Sequence, residues 1–210
     1  MAKHWKTDIQ AVLDRDPAAR SKWEVIFCYP GFRAVRRHRR AHWFFKHGHP
    51  IIARMIANRT RRITGIDIHP GATIGEGLFI DHGTGVVIGE TTVIGKNCTI
   101  FQNATLGGTG KEVGKRHPTL EDEVMVCAGA KVLGPFTVGK GSKIGAGAVV
   151  LSEVPPHCTV VGVPGRIVRC NNVRVEETID MDQRLPDPIL EELQQLCSRI
   201  GELERKINKQ

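Results

Sequence analysis

A mainly β solenoid is the fold class this sequence predicts: flat triangular coils of parallel strands between an N-terminal α-helical region and a C-terminal helix. Three observations predict it. Every sixth residue from Ile68 is aliphatic, as Ile68, Ile74 and Ile80, then Ile88, Ile94, Ile100 and Leu106, then Leu120, Val126, Val132, Val138, Ile144 and Val150. Glycines follow many of these positions directly, at Gly75, Gly89, Gly95, Gly107, Gly139 and Gly145, and small residues recur four places on, at Ala72, Thr84, Thr92, Cys98, Ala104, Ala130, Ser142 and Ala148. The register then slips at two places that are rich in glycine and carry histidine.

A period of six fits neither an amphipathic helix, with its period of 3.6, nor a half-buried strand, with its period of two. It fits three faces of six residues, a coil of roughly 18 residues, with coils stacked about 4.8 Å apart as ordinary parallel strands. One inward aliphatic per face fills the tube. Glycine makes a sharp corner easy, and the small residues let the corners close.

The first slip adds two residues between Ile80 and Ile88, in Asp81-His82-Gly83-Thr84-Gly85, and predicts a bulge that lifts His82 out of the wall. The second separates Leu106 from Leu120 and predicts a loop, 107–118, projecting from the tube. Irregular polar interruptions of a rigid scaffold are where function concentrates. The organisation read from the chain is a helical region over 1–66, the solenoid over 67–168, and a linker with a helical tail over 169–210.

In the first region, apolar positions Ile9, Val12 and Leu13, then Trp23, Ile26 and Phe27, then a longer segment from about Phe32 to Lys46, read as helices. Pro30-Gly31 and Gly48-His49-Pro50 separate them. In the tail, Ile189, Leu193, Leu196, Ile200, Leu203 and Ile207 alternate spacings of four and three. That pattern suits either a short coiled-coil seam, which favours two strands, or one amphipathic helix docked on its own chain.

The net charge of +8 is unevenly placed, because residues 1–66 hold 15 Lys+Arg against 4 Asp+Glu and the remainder 15 against 18. A nucleic-acid surface is one reading of the Arg33 to Arg40 cluster. Without a recognised binding motif, a solvated or subunit-facing helix surface is preferred. The N-terminus lacks the apolar core of a signal peptide and no stretch approaches the ~18 apolar residues of a membrane span, so no membrane is expected and a cytoplasmic location is. The 6 cysteines carry no CxxC and read as reduced thiols rather than a disulfide frame or zinc site.

Candidate reactive groups are His82, His117, Asp67, Asp81, Arg116 and Asp16. Histidine suits a general base near neutral pH, because its unperturbed pKa is near 6.5. A carboxylate such as Asp67 would fix the tautomer of His82 and leave its other nitrogen free to take a proton from a hydroxyl. Spacing leaves open whether the two meet within one chain or across subunits. A metal site would need converging imidazoles, but the close pairs His38/His42 and His42/His47 fall in the helical region, so no metal is expected, and His69 reads as a corner residue beside Pro70. Ala128 and Ala146, one coil apart, should stack and leave a shallow groove for an extended arm, with Arg166 and Arg169 available to phosphates. Corner packing and plain solvation are the alternatives.

Several motifs together resemble the bacterial serine O-acetyltransferases, a hexapeptide-repeat family. They are Asp14-Arg15-Asp16-Pro17-Ala18, Asp67-Ile68-His69-Pro70-Gly71-Ala72, Ile80-Asp81-His82-Gly83-Thr84-Gly85, Val87-Ile88-Gly89-Glu90-Thr91, Thr105-Leu106-Gly107-Gly108-Thr109-Gly110-Lys111, Arg116-His117-Pro118 and Gly162-Val163-Pro164-Gly165-Arg166. The resemblance implies a left-handed parallel β-helix, a homotrimer with a hexamer as the alternative, and active sites between neighbouring solenoids. It implies His82 as base, Asp67 as its orienting carboxylate, His117 and Arg116 around the substrate, and Asp16 and Asp81 holding the amino acid. Acetyl-CoA would be the co-substrate, lying along Ala128 and Ala146, and O-acetyl-L-serine the product that enters cysteine synthesis. L-cysteine is implied as a feedback inhibitor. The short helical region favours a simple trimer. The tail Lys206-Ile207-Asn208-Lys209-Gln210 lacks the terminal isoleucine that docks relatives into O-acetylserine sulfhydrylase, which argues against that partner. An acetyltransferase of another small alcohol or sugar, or a non-catalytic solenoid scaffold, are the competing readings.

Overall fold

The computed structural model describes residues 3–110, 113–171 and 173–174. The helical tail read from the sequence lies outside them. Four helices precede the solenoid: α1 (Lys3–Arg15), α2 (Lys22–Cys28), α3 (Pro30–Lys46) and α4 (Pro50–Thr64). Ser21 caps α2, its hydroxyl accepting the Glu24 N–H at 3.2 Å, while the Glu24 carboxylate accepts the Arg20 N–H at 2.9 Å. Prolines open α3 and α4, where a missing N–H costs nothing. Gly65, at φ 71°, ends α4 in the left-handed conformation that favours glycine.

In α2 the apolar reading needs correction. Val25 is the fully buried residue, whereas Trp23 and Phe27 stay exposed and stack on each other with ring centroids 6.2 Å apart. Val25 joins Ile9, Val12, Phe32 and Phe79 in a small core that fastens the helices to the first coil. Two arginines reinforce this seam. Arg15 donates to the carbonyls of Gly77 (3.2 Å) and Cys98 (3.0 Å). Arg39, a member of the basic cluster, turns inward and forks onto Asp8 at 3.0 Å while also reaching the Gly75 carbonyl at 2.9 Å. Burial pushes the Asp8 carboxyl up, against the opposing pull of Arg39.

His38 of α3 is buried and hydrogen-bonds the Ala72 carbonyl through Nε2 at 3.2 Å. Burial pushes its pKa down to about 3, with His42 and Arg39 adding to the shift. The unfolded chain therefore binds the extra proton between the ordinary value near 6.5 and about 3, and stability falls as pH falls through that window. A His38→Gln variant keeps a donor for Ala72 and removes the titration. Its urea midpoint should fall less between pH 7 and pH 4.5 than that of the native protein.

The solenoid is a left-handed parallel β-helix with three sheets. The first sheet stacks β1 (Asp67–Ile68), β4 (Val87–Ile88), β7 (Thr105–Gly107), β10 (Lys131–Leu133) and β13 (Val149–Val150). The second stacks β2 (Thr73–Ile74), β5 (Val93–Ile94), β8 (Thr119–Leu120) and β11 (Thr137–Val138). The third stacks β3 (Phe79–Ile80), β6 (Thr99–Ile100), β9 (Met125–Val126), β12 (Lys143–Ile144) and β14 (Cys158–Val161), then turns back through β15 (Arg166–Cys170) and β16 (Val173–Arg174) as antiparallel strands. Every aliphatic of the repeat is buried except Ile74, which is half-buried.

Three details depart from the sequence reading. Thr84 is exposed, because the two added residues shift the inward position to Val86. The glycines that follow the aliphatics have ordinary φ; what they provide is close approach, since a Cβ on Gly75 would lie 2.5 Å from the Gly95 carbonyl oxygen one coil away. The left-handed corner residues come two later, at Gly77 and Asn97. Cys158 and Cys170 form a disulfide, correcting the expectation of reduced thiols: the antiparallel return of β15 puts them opposite each other, Cα atoms 4.1 Å apart, which a hexad count does not foresee. Among the described residues no helix is long and apolar enough to cross a membrane.

Candidate active site

The corner between the third and first sheets carries His82. The Ile80, Ile100, Val126, Ile144 and Val160 strands pair in register. Two residues after each of these stands a column made of His82, Gln102, Ala128, Ala146 and Gly162, one residue per coil. His82 heads it in a left-handed conformation, φ 56°, with its side chain 75% exposed. Its Nε2 lies 3.8 Å from Asp81 Oδ1. Below it, Gln102 presents a buried Oε1 that has no hydrogen-bond partner among the described residues. The predicted stacking of Ala128 and Ala146 is present, with the Gly147 N–H donating to the Ala128 carbonyl at 2.9 Å. Arg166 and Arg169 lie on β15 at the foot of this end of the solenoid, both exposed. Below Gln102 the column narrows to the small residues Ala128, Ala146 and Gly162.

Asp16 lies just past α1. Its Oδ2 accepts the Tyr29 hydroxyl at 2.6 Å and its Oδ1 the Ala18 N–H at 2.8 Å. Burial pushes the Tyr29 phenol up, the bond to Asp16 adds to this, and the charges of Glu24 and Asp81 act in the same direction. Tyr29 thus feels both carboxylates, Asp16 and Asp81, and keeps its proton to hold the first. Nothing in the hexad pattern pointed to Tyr29.

Asp67 and His82 do not pair within the chain. Asp67 instead faces Arg61 of α4, Oδ2 to Nη1 at 3.4 Å.

The corner between the first and second sheets carries the other predicted group. Arg116 pairs with Glu90, which holds that carboxyl below its usual range, and donates to the Gly114 carbonyl at 3.2 Å. His117 Nδ1 accepts the Thr91 N–H at 3.2 Å, and the Thr91 hydroxyl lies 2.9 Å from the same atom. Burial, then Arg116, push the His117 pKa down, with Glu90 opposing and His69 and Lys115 assisting. Gly89 has a role beyond its corner, since a Cβ there would overlap the His117 ring. His69 is a corner residue, Nδ1 accepting the Gly71 N–H at 3.0 Å. Among the described residues no three His, Cys, Asp or Glu side chains are grouped to hold a metal.

A tube wound from hexapeptides, with imidazoles at its corners and a small-residue column beside one of them, defines an acyltransferase of the hexapeptide-repeat class. A family model for the N-terminal part of serine acetyltransferases matches residues 1–37. The serine acetyltransferase of Bacillus subtilis (strain 168) is 54% identical over 202 residues, 96% of this chain and 93% of its own length. That of Mycobacterium tuberculosis is 52% identical over 197 residues, 94% and 85% of the two chains. Neisseria gonorrhoeae serine acetyltransferase in complex with serine matches the structure with a TM-score of 0.78 at 43% identity, covering 80% of this chain and 69% of that one. The Brucella abortus enzyme in complex with coenzyme A gives 0.77 at 48%, covering 80% and 67%. The chain belongs to the serine acetyltransferase family.

Proposed function

We propose that the protein moves the acetyl group of acetyl-CoA to the hydroxyl of L-serine, giving O-acetyl-L-serine and free coenzyme A. The observation that carries this reading is the exposed His82 at the head of the Gln102, Ala128, Ala146 and Gly162 column, beside Asp81. His82 takes the hydroxyl proton as the serine oxygen bonds to the acetyl carbonyl carbon, and the carbon–sulfur bond then breaks with the proton passing to the sulfur. Asp81 and Asp16, the latter held by Tyr29, suit the ammonium group of an amino acid. Neutral His117 presents Nε2–H as a donor to the substrate or to the developing oxyanion. Arg116, engaged by Glu90, shapes the same corner. The column and the arginines Arg166 and Arg169 fit the arm and phosphates of coenzyme A.

His82 and His117 stand at different corners of one tube, separated by the first sheet, roughly 15 Å for five extended residues. A site formed by the His82 corner of one copy against the His117 corner of another would bring the two imidazoles together, which favours a homotrimer. The exposed Ile51, Ile52 and Met55 of α4 supply apolar surface for such an association. L-cysteine, an amino acid of the same size, suits the Asp16 and Asp81 subsite as a competitive inhibitor. A cytoplasmic location agrees with the cytosolic supply of acetyl-CoA.

Thiol release from acetyl-CoA, followed with L-serine, L-homoserine and a panel of sugars, tests the reading. Activity with L-serine alone or far ahead of the rest is expected; a preference for sugars would overturn it. Replacing Asp16 with alanine should raise the KM for serine roughly tenfold and leave kcat within about threefold, the pattern of lost ground-state binding. An unchanged KM would remove Asp16 from the site.

A further inference from the structure

We infer that Thr91 is the positioning residue for His117, holding its imidazole as the neutral Nε2–H tautomer and anchoring the end of the projecting loop. The inference rests on the reading that His117 contacts substrate. Ile94 and Leu120 pair in register, so Thr91 and His117, each three residues before its aliphatic, stand one above the other in adjacent coils. The Thr91 backbone N–H points at His117 Nδ1 from 3.2 Å. An N–H can only donate, so Nδ1 is the unprotonated nitrogen and the ring proton sits on Nε2. The Thr91 hydroxyl, 2.9 Å from the same Nδ1, then donates to it as well. Its oxygen accepts two further N–H groups, from Arg116 at 3.0 Å and from His117 itself at 3.1 Å. One donor and two acceptor sites are all a hydroxyl has, and all are used on this loop. The Thr91 carbonyl adds a fifth tie, accepting Lys115 Nζ at 2.8 Å.

Both hydrogen bonds to Nδ1 therefore come from a residue one coil away that touches no substrate in the proposed reaction. The charged neighbours Arg116, Lys115 and His69 oppose protonation and Glu90 favours it, with burial the largest influence. A neutral ring with its proton outward is a fixed donor.

Thr91→Val keeps the shape and removes the hydroxyl, while Thr91→Ser keeps the hydroxyl and removes the methyl. The valine variant should lose roughly tenfold to a hundredfold in kcat/KM for serine, the scale expected of a displaced reacting group. The serine variant should stay within about twofold. Nitrogen-15 spectra of histidine-labelled protein should show His117 as the Nε2–H form alone in the native protein and the serine variant; the valine variant keeps only the backbone N–H as a donor to Nδ1, so a minor Nδ1–H fraction should appear there beside the Nε2–H form, a readout that mere loss of stability would not produce. Valine-variant spectra and kinetics like the native would overturn the inference, as would a serine variant as impaired as the valine one. His117→Ala separates the two layers. If it stays active while Thr91→Val still mixes the tautomers, the positioning stands and only the catalytic reading of His117 falls.

Discussion

Replacing His82 with alanine is expected to lower kcat for L-serine acetylation at least ~100-fold, because a positioned general base contributes on the order of 10²- to 10⁴-fold. The side chain is 75% exposed, so its loss leaves no cavity. The backbone is a separate matter. His82 occupies the left-handed region at φ 56°, where a residue with a Cβ is strained and asparagine is tolerated better than alanine. Histidine already carries that strain, so alanine should lower the thermal midpoint only slightly and His82→Asn less still, while both lose the base. The pair separates chemistry from folding: equal losses of kcat with unequal thermal midpoints support the role given to His82. An asparagine variant retaining native turnover would remove this imidazole from the mechanism. Burst kinetics or a viscosity series would show whether chemistry limits turnover, without which the full loss does not appear in kcat.

Most of the scaffold was legible because a triangular coil demands one aliphatic at a fixed interval, and a demand repeated in every coil leaves a strong trace in sequence. The same arithmetic located the unusual places. His82 and His117 were found as residues of the two slips, and the Ala128 and Ala146 stack followed from counting eighteen. Contacts that depend on side-chain direction left no such trace. Thr91 is an ordinary corner threonine until its hydroxyl is seen on the His117 ring. Tyr29 is one aromatic near a helix boundary until it is seen on Asp16, thirteen residues earlier. The inward shift from Thr84 to Val86 depends on where within a slip the extra residues are absorbed, which spacing does not report. The Cys158–Cys170 bond required knowing that the chain reverses after the last parallel coil. Repetition carries the fold, whereas the site is built from single contacts between coils and between coil and helix.

Gly31→Ala is expected to be the most damaging of the conservative changes, although alanine is the better helix former by roughly 1 kcal/mol. Gly31 is the second residue of α3 and lies against the third strand of the first coil. A Cβ there would overlap the Ile80 carbonyl oxygen and come within 2.9 Å of the Ile80 Cβ and 3.0 Å of its carbonyl carbon. The obstacle is backbone, so no rotamer change relieves it and the helix must move. Overpacking of this kind costs typically 1–3 kcal/mol and occasionally more, so the propensity gain is outweighed and the thermal midpoint should fall by roughly 2–8 °C, at about 2–4 °C per kcal/mol for a chain of this size. The consequence reaches the site, because Ile80 is followed directly by Asp81 and His82, and Phe79 beside it belongs to the core shared with α1 and α2. A shift of about 1 Å in that turn should lower kcat/KM by up to ~10²-fold. Gly110→Ala is the matched control, since among the described residues a Cβ at Gly110 meets nothing within 4 Å and its backbone is not left-handed. That variant should melt and turn over like the native protein. Gly31→Ala with native stability would show that α3 does not press on the first coil, and would remove the structural link between the helical region and the His82 turn.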